Sequence, residues 1–165
     1  MVLLNTTSFS GVNSVSLPKN TFSSTYTHYK TILEITTSTS NDYVGARYRA
    51  DGSDISTSFY QSGFVDVRMN ASTTSPDASG ANQTTFTRLG YHLAFQATYL
   101  ETNWWSPNQA VSKGFTGTSM NIATDAGNQM FSGGCFDTTT VADSVSFFPM
   151  SGTFTGTLYC FGINK

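Results

Sequence analysis

Charge is what this chain has least of. Lys and Arg together number eight and Asp and Glu ten, giving a net charge of −2 over 165 residues. The charged fraction, 11 %, is less than half the roughly one-quarter typical of soluble domains. No Lys/Arg cluster occurs, which excludes the basic stripe that a nucleic-acid partner requires. Cysteine is scarce too. Cys135 and Cys160 make no disulfide framework; they read as two small buried residues, and a bridge needs their strands to be neighbours. His28 and His92 are too few and too scattered for a zinc site, and no cofactor is implied. Apolar runs fall far short of a membrane span, so no membrane insertion is expected. Met1–Leu4 has neither the charged start nor the apolar length of a secretory signal.

The motifs of enzyme chemistry are equally sparse. Glu occurs only at Glu34 and Glu101, and the aspartates sit mostly where turns use them. A glycosidase needs two carboxylates facing one cleft, and nothing in the spacing pairs them. There is no Gly-x-Ser-x-Gly elbow, no phosphate-binding glycine loop and no EF-hand loop. A non-enzymatic protein is expected.

What the chain does have is Ser and Thr in abundance, with 13 Phe and 8 Tyr. Disordered chains have few aromatics and many charges, the reverse of this one. Thr, Phe, Tyr and Val suit a pleated, half-buried surface. The length fits one domain, residues 1–165.

Period-two alternation recurs along the chain. Phe9, Val12, Val15 and Leu17 change face around Gly11, which marks a bulge. Leu33 and Ile35 alternate with Ile32 and Glu34. Tyr43, Gly45, Arg47 and Arg49 oppose Val44, Ala46, Tyr48 and Ala50. Asp51–Gly52 is a hairpin-turn pair. A return strand through 58–70 puts Val65, Val67 and Met69 on one face. Residues 70–83 read as a long surface loop, 91–99 as one alternating strand, and 101–113 as another loop. Shorter strands follow, and Phe154 to Ile163 closes the chain. No window supports an amphipathic helix. About eight strands without helices imply an all-β, antiparallel sandwich or barrel. Leu33, Ile35, Val65, Val67, Leu93, Phe95 and Leu158 are expected in its core, and Leu93→Ala is expected to cost about 2–5 kcal/mol.

"FSSTYTHYK", residues 22–30, spaces Phe22, Tyr26 and Tyr29 as a helix would. Ser, Thr and Tyr are weak helix formers, and the pattern does not last three turns. The stretch reads as a corner plug: Phe22 and Tyr26 fold onto the end of the core, and Tyr29 begins a strand.

"LETNWWSPNQ" carries the candidate site. On a strand Trp104 and Trp105 would point to opposite faces; in a loop one packs inward while the other stays exposed. One reading is a loop tied to the sheet edge or buried at a subunit contact. The other is a stacking platform for a sugar ring, with Asn103 and Asn108 hydrogen-bonding beside it. Tyr60 and Gln61 are weaker candidates, better read as packing. Arg47 and Arg49 read as a solvated or subunit-facing stripe. Asn5, Asn70 and Asn82 head glycosylation-type triplets, which matter only in a eukaryotic secretory setting.

Three stretches together resemble a domain of bacteriophage tail-fibre and related virion appendage proteins. They are the opening run with Phe22, Thr25, Tyr26 and Tyr29, the "ARYRADGSD" strand and hairpin with Arg47, Arg49 and Gly52, and the closing "GTFTGTLYCFGINK". The likeness covers both ends and is thin between about 57 and 140. It implies a jelly-roll-like β-sandwich on the virion surface, assembled as a homotrimer among other virion proteins. Its implied role is attachment to a host surface glycan or receptor through loops such as 70–83 and 101–113. A capsid or tail decoration protein, or a carbohydrate-binding module, are the alternatives.

Overall fold

The computed structural model describes residues 1–68, 74–121 and 127–163. Its described residues form thirteen β elements and no helix. In chain order they are β1 (Val2–Val12), β2 (Val15–Ser16), β3 (His28–Ser38), β4 (Asp42–Ala50), β5 (Ser53–Asp54), β6 (Tyr60–Arg68), β7 (Thr74–Gln83), β8 (Phe86–His92), β9 (Thr98–Trp105), β10 (Lys113–Asn121), β11 (Asn128–Phe136), β12 (Ser144–Pro149) and β13 (Phe154–Ile163). The large sheet runs β1-β13-β3-β9-β10-β11-β6-β7, and the small one β2-β12-β4-β5 with β8 also on β4. Every pairing is antiparallel. The two sheets close on a single apolar cluster, so the expected antiparallel sandwich is what forms.

Alternation builds most of it. In β13, Phe154, Gly156, Leu158, Cys160 and Gly162 point inward and the residues between them are half-buried. In β4, Val44, Ala46 and Tyr48 are fully buried. Asp51 (φ 55°) and Gly52 (φ 79°) form the tight turn from β4 to β5. Two positive φ values in succession match the twist of a two-residue hairpin, which is why Asp-Gly sits there. Gly11 (φ 59°) lies at the β1 register shift between Phe9 and Val12, and its N–H donates to Thr155 Oγ1 at 2.9 Å. A second bulge falls between Thr155 and Gly156, where a Cβ on Gly156 would meet the Glu34 carbonyl oxygen at 1.9 Å.

The core is aromatic. Tyr48, Tyr60, Phe86, Trp104, Phe115 and Phe136 share ring contacts with centroids 4.3 to 6.5 Å apart. Their polar tips are satisfied. Tyr60 Oη donates to the Ile55 carbonyl at 2.7 Å and accepts from the Tyr48 N–H at 3.1 Å. Trp104 Nε1 donates to Thr31 Oγ1 at 2.9 Å.

Several segments depart from their sequence reading. The expected return strand divides: β5 pairs with β4 in the small sheet, while β6 belongs to the large one. Within β6 the inward face is Ser62, Phe64 and Asp66, so Val65 and Val67 point outward and Val65 is 39 % exposed. The large aromatic ring, which buries more apolar area than valine, sets the register. Met69 and Asn70 lie outside the described residues. Residues 74–83, read as loop, are strand β7, which pairs with β6 along the edge of the sheet. Its turn-like composition includes Pro76, which sheets tolerate at an edge. Residues 91–99 are two strands joined by a turn. Phe95 sits at its tip with φ 59° and 81 % exposure, and Leu93 is only half-buried, so neither is a core residue.

Candidate functional site

One end of the sandwich gathers the connections 17–27, 55–59, 106–112 and 137–143. They are tied to one another by backbone bonds. Phe22 N donates to Asp143 O at 2.8 Å, Ser106 N to Thr27 O at 2.8 Å, Ala142 N to Pro107 O at 2.9 Å and Asp137 N to Phe59 O at 3.1 Å. Around them four large apolar side chains, Phe59, Trp105, Val111 and Val141, are nearly half exposed. A pinned loop cluster with exposed apolar side chains is where a β-sandwich commonly carries its binding surface.

The tryptophan pair is divided by the strand that carries it. Residues 101–105, expected as loop, are the end of β9, and the loop proper is 106–112. Ser106 (φ 51°) breaks the strand. Trp104 therefore points into the core, fully buried among Tyr48, Phe86, Phe115 and Phe147, and no ligand reaches its ring. Trp105 points outward on the same strand, 45 % exposed, with its ring edge-on to His28 at a centroid distance of 4.6 Å. The opposition follows from the period of two.

Asn103 shares the outward face of β9 with Trp105, directly across from Thr116 on β10 and Lys30 on β3. Asn108 has a different task. Its Nδ2 donates to the carbonyls of Ser23 and of Tyr26, the latter at 3.2 Å, and so clamps the opening corner. That corner is the plug its sequence announced. Phe22 is buried, and the Tyr26 ring lies against the α-carbon of Gly162. Tyr29 Oη accepts from Ser23 N and donates to Ser23 O, both at 2.7 Å.

Lys113 was hidden inside a presumed loop. It opens β10 in phase with Phe115, and this alternation is the signal for its inward direction. It is 1 % exposed, and its ammonium donates to the carbonyls of Val111 at 2.8 Å and Thr138 at 3.2 Å. Burial lowers its pKa. The lysine knots loops 106–112 and 137–143 together from beneath. His28 is likewise unmarked as a site residue, because only the strand register brings it beside Trp105.

The carboxylates are engaged in structure. Asp51 pairs with Lys19, Glu101 with Lys30 at 2.8 Å, and Asp54 with Arg49 at 3.2 Å and Arg47 at 3.9 Å. Asp143 accepts from Asp51 N and Ser144 Oγ. Arg47 and Arg49 thus serve the β4–β5 hairpin, and the Arg47 guanidinium also lies 5.1 Å over Phe148. Among the described residues no three His, Cys, Asp or Glu cluster as a metal site. Cys135 and Cys160 are free thiols, on β11 and β13 with three strands between them. Burial pushes the Cys160 thiol up to about 12. Compared with models of protein families, with curated proteins and with solved structures, the chain matches none.

Proposed function

We propose that this chain is a non-enzymatic adhesion domain of a bacteriophage virion appendage, of the tail-fibre kind, assembled as a homotrimer. Its loop end meets glycan on the host surface. Trp105 is the observation that carries the binding part. It is a large, half-exposed indole on a rigid strand end, flanked by the His28 ring and by the amide of Asn103. Sugar rings stack their C–H faces on such a surface while amides bond their hydroxyls. The virion part rests on the resemblance of the opening, hairpin and closing stretches, which the antiparallel sandwich accommodates. The scarcity of charge suits it: such a surface resists nonspecific electrostatic capture, and its contacts change little with pH or salt. Single sites of this kind are weak and gain strength by multivalency.

Labelled protein on an array of bacterial surface polysaccharides tests this reading. The parent is expected to bind a defined subset. Trp105→Ala, half exposed and so expected to melt as the parent does, should bind at least about tenfold more weakly, corresponding to some 1.4 kcal/mol. Binding untouched by Trp105→Ala would remove the site. A parent that binds no glycan but binds stripped virions would favour a decoration protein instead.

A further inference from the structure

The outer face of the large sheet is uncovered. Strand register places its side chains in rows across the strands. One row reads Val65, Phe131, Thr118, Glu101, Ile32, Tyr159 from β6 to β13. The next row toward the loop end reads Gly63, Gly133, Thr116, Asn103, Lys30, Phe161, and Leu3 of β1 continues it. A third, on the opposite side, carries Val67, Gln129, Met120 and Tyr99.

Two apolar patches stand out on this face. Val65, Phe131, Met120 and Tyr99 form one, each 39 to 48 % exposed. Ile32, Tyr159, Phe161 and Leu3 form the other. Between them runs a polar seam of Thr118, Glu101, Asn103 and Lys30, in which Lys30 and Glu101 already neutralise one another at 2.8 Å.

We propose that copies of this chain associate through this face, the first patch of one copy covering the second patch of another. Three features select a second copy as the occupant. The first is charge. With Lys30 and Glu101 paired internally, Glu34 is the charge left among the described residues of this face, and Tyr159 Oη donates to it at 3.4 Å. A nearly neutral face meets its own kind without repulsion and gives a charged partner little to bind.

The second feature is area. Six strands about 4.8 Å apart and three rows about 6.8 Å apart span roughly 600 Å². A specific, stable interface buries about 600–1,000 Å² on each partner.

The third is shape. Gly63 and Gly133, paired across β6 and β11, leave a trough beside Phe131. A Cβ on Gly133 would meet only the Phe115 carbonyl oxygen, at 3.5 Å. The bulky Tyr159 and Phe161 of the other patch supply what would fill it. The proposal rests on the assembly part of the reading above and is independent of glycan binding. Loss of the Trp105 result leaves it standing.

Native mass spectrometry and light scattering on the purified chain test it, with Ile32→Lys, Phe131→Lys and, as a control at the far end of the sandwich, Phe95→Ser. The parent and Phe95→Ser are expected at a multiple of 17.8 kDa, and both lysine variants at 17.8 kDa with an unchanged far-ultraviolet spectrum. A parent monomeric at high micromolar concentration overturns the proposal, and so does an assembly that survives both lysine changes. Cys135 provides a readout free of folding artefacts, because it lies on the same outer face while Cys160 is buried. Its labelling by a thiol reagent should slow as parent concentration rises, and a concentration-independent rate counts against the interface.

Discussion

At the scale of single residues, two buried polar side chains hold the ends of the sandwich, and one of them responds to pH in the physiological range. His92 is fully buried on β8, with Nδ1 3.0 Å from Ser38 Oγ. The same hydroxyl lies 3.0 Å from the carbonyls of Ser40 and of Leu93. Burial lowers the imidazole pKa, while Asp42, opposite on β4, and the Ser40 backbone pull the other way. The folded chain thus holds a neutral ring where the unfolded chain takes up a proton below about pH 6.5. Stability from this group is complete above that pH and falls as pH drops through it, by at most about 1.4 kcal/mol per pH unit. Denaturant midpoints between pH 8 and pH 5 should show this decline in the parent and a flatter profile in His92→Asn. Parallel profiles would show that the ring takes up its proton as readily in the fold as in the unfolded chain. Lys113 does the corresponding work at the loop end, where burial lowers its pKa.

At the scale of elements, face assignment is the sharpest test. β6 turns Phe64 inward, 5.7 Å from the Tyr43 ring, and leaves Val65 on the outer face. Phe64→Ala should cost about 3–5 kcal/mol. Val65→Ala, measured at low protein concentration, should stay within about 0.5 kcal/mol. The reverse order of effects in urea melts would restore the register read from the sequence. In β3 and β13 the alternation places the expected core residues Leu33, Ile35 and Leu158 correctly. In β6 the inward face mixes Phe64 with Ser62 and Asp66 while the outer one carries two valines, and alternation then has no preferred direction. The same ambiguity hid the site. Trp104 and Trp105 read as loop because Asn, Ser and Pro surround them, yet pairing with β3 and β10 on both sides holds them in a strand. Pairing with distant strands is invisible to local composition, and so is the meeting of His28 with Trp105. The bulge at Gly11, the Asp51–Gly52 turn and the 22–30 plug were legible because each depends on residues close in sequence.

At the scale of the whole molecule, the scarcity of charge becomes a measurable property. Lys19–Asp51, Lys30–Glu101, Arg47–Asp54 and Arg49–Asp54 are ion pairs among the described residues, and none of these is fully buried. Lys19–Asp51 is largely exposed, and the members of Lys30–Glu101 keep a quarter to a third of their side-chain surface in water. Asp54 serves both Arg47 and Arg49 and is a third exposed. Exposed pairs contribute about 0–1 kcal/mol each and are screened by salt. The aromatic core and the backbone ladders, which salt does not screen, carry the rest. For a chain of this length 1 kcal/mol corresponds to about 2–4 °C in Tm. Raising sodium chloride from about 0.05 M to about 1 M, which shortens the screening length from more than 10 Å to about 3 Å, should therefore move the melting temperature by no more than about 8 °C, the shift that about 2 kcal/mol summed over these pairs would give. The oligomer mass should likewise persist at high salt, because Lys30 and Glu101 are satisfied within one copy and the patches meeting across the interface are apolar. A large fall in melting temperature would assign the fold to electrostatics. Dissociation with the melting temperature unchanged would move the interface away from the large sheet to a charged edge.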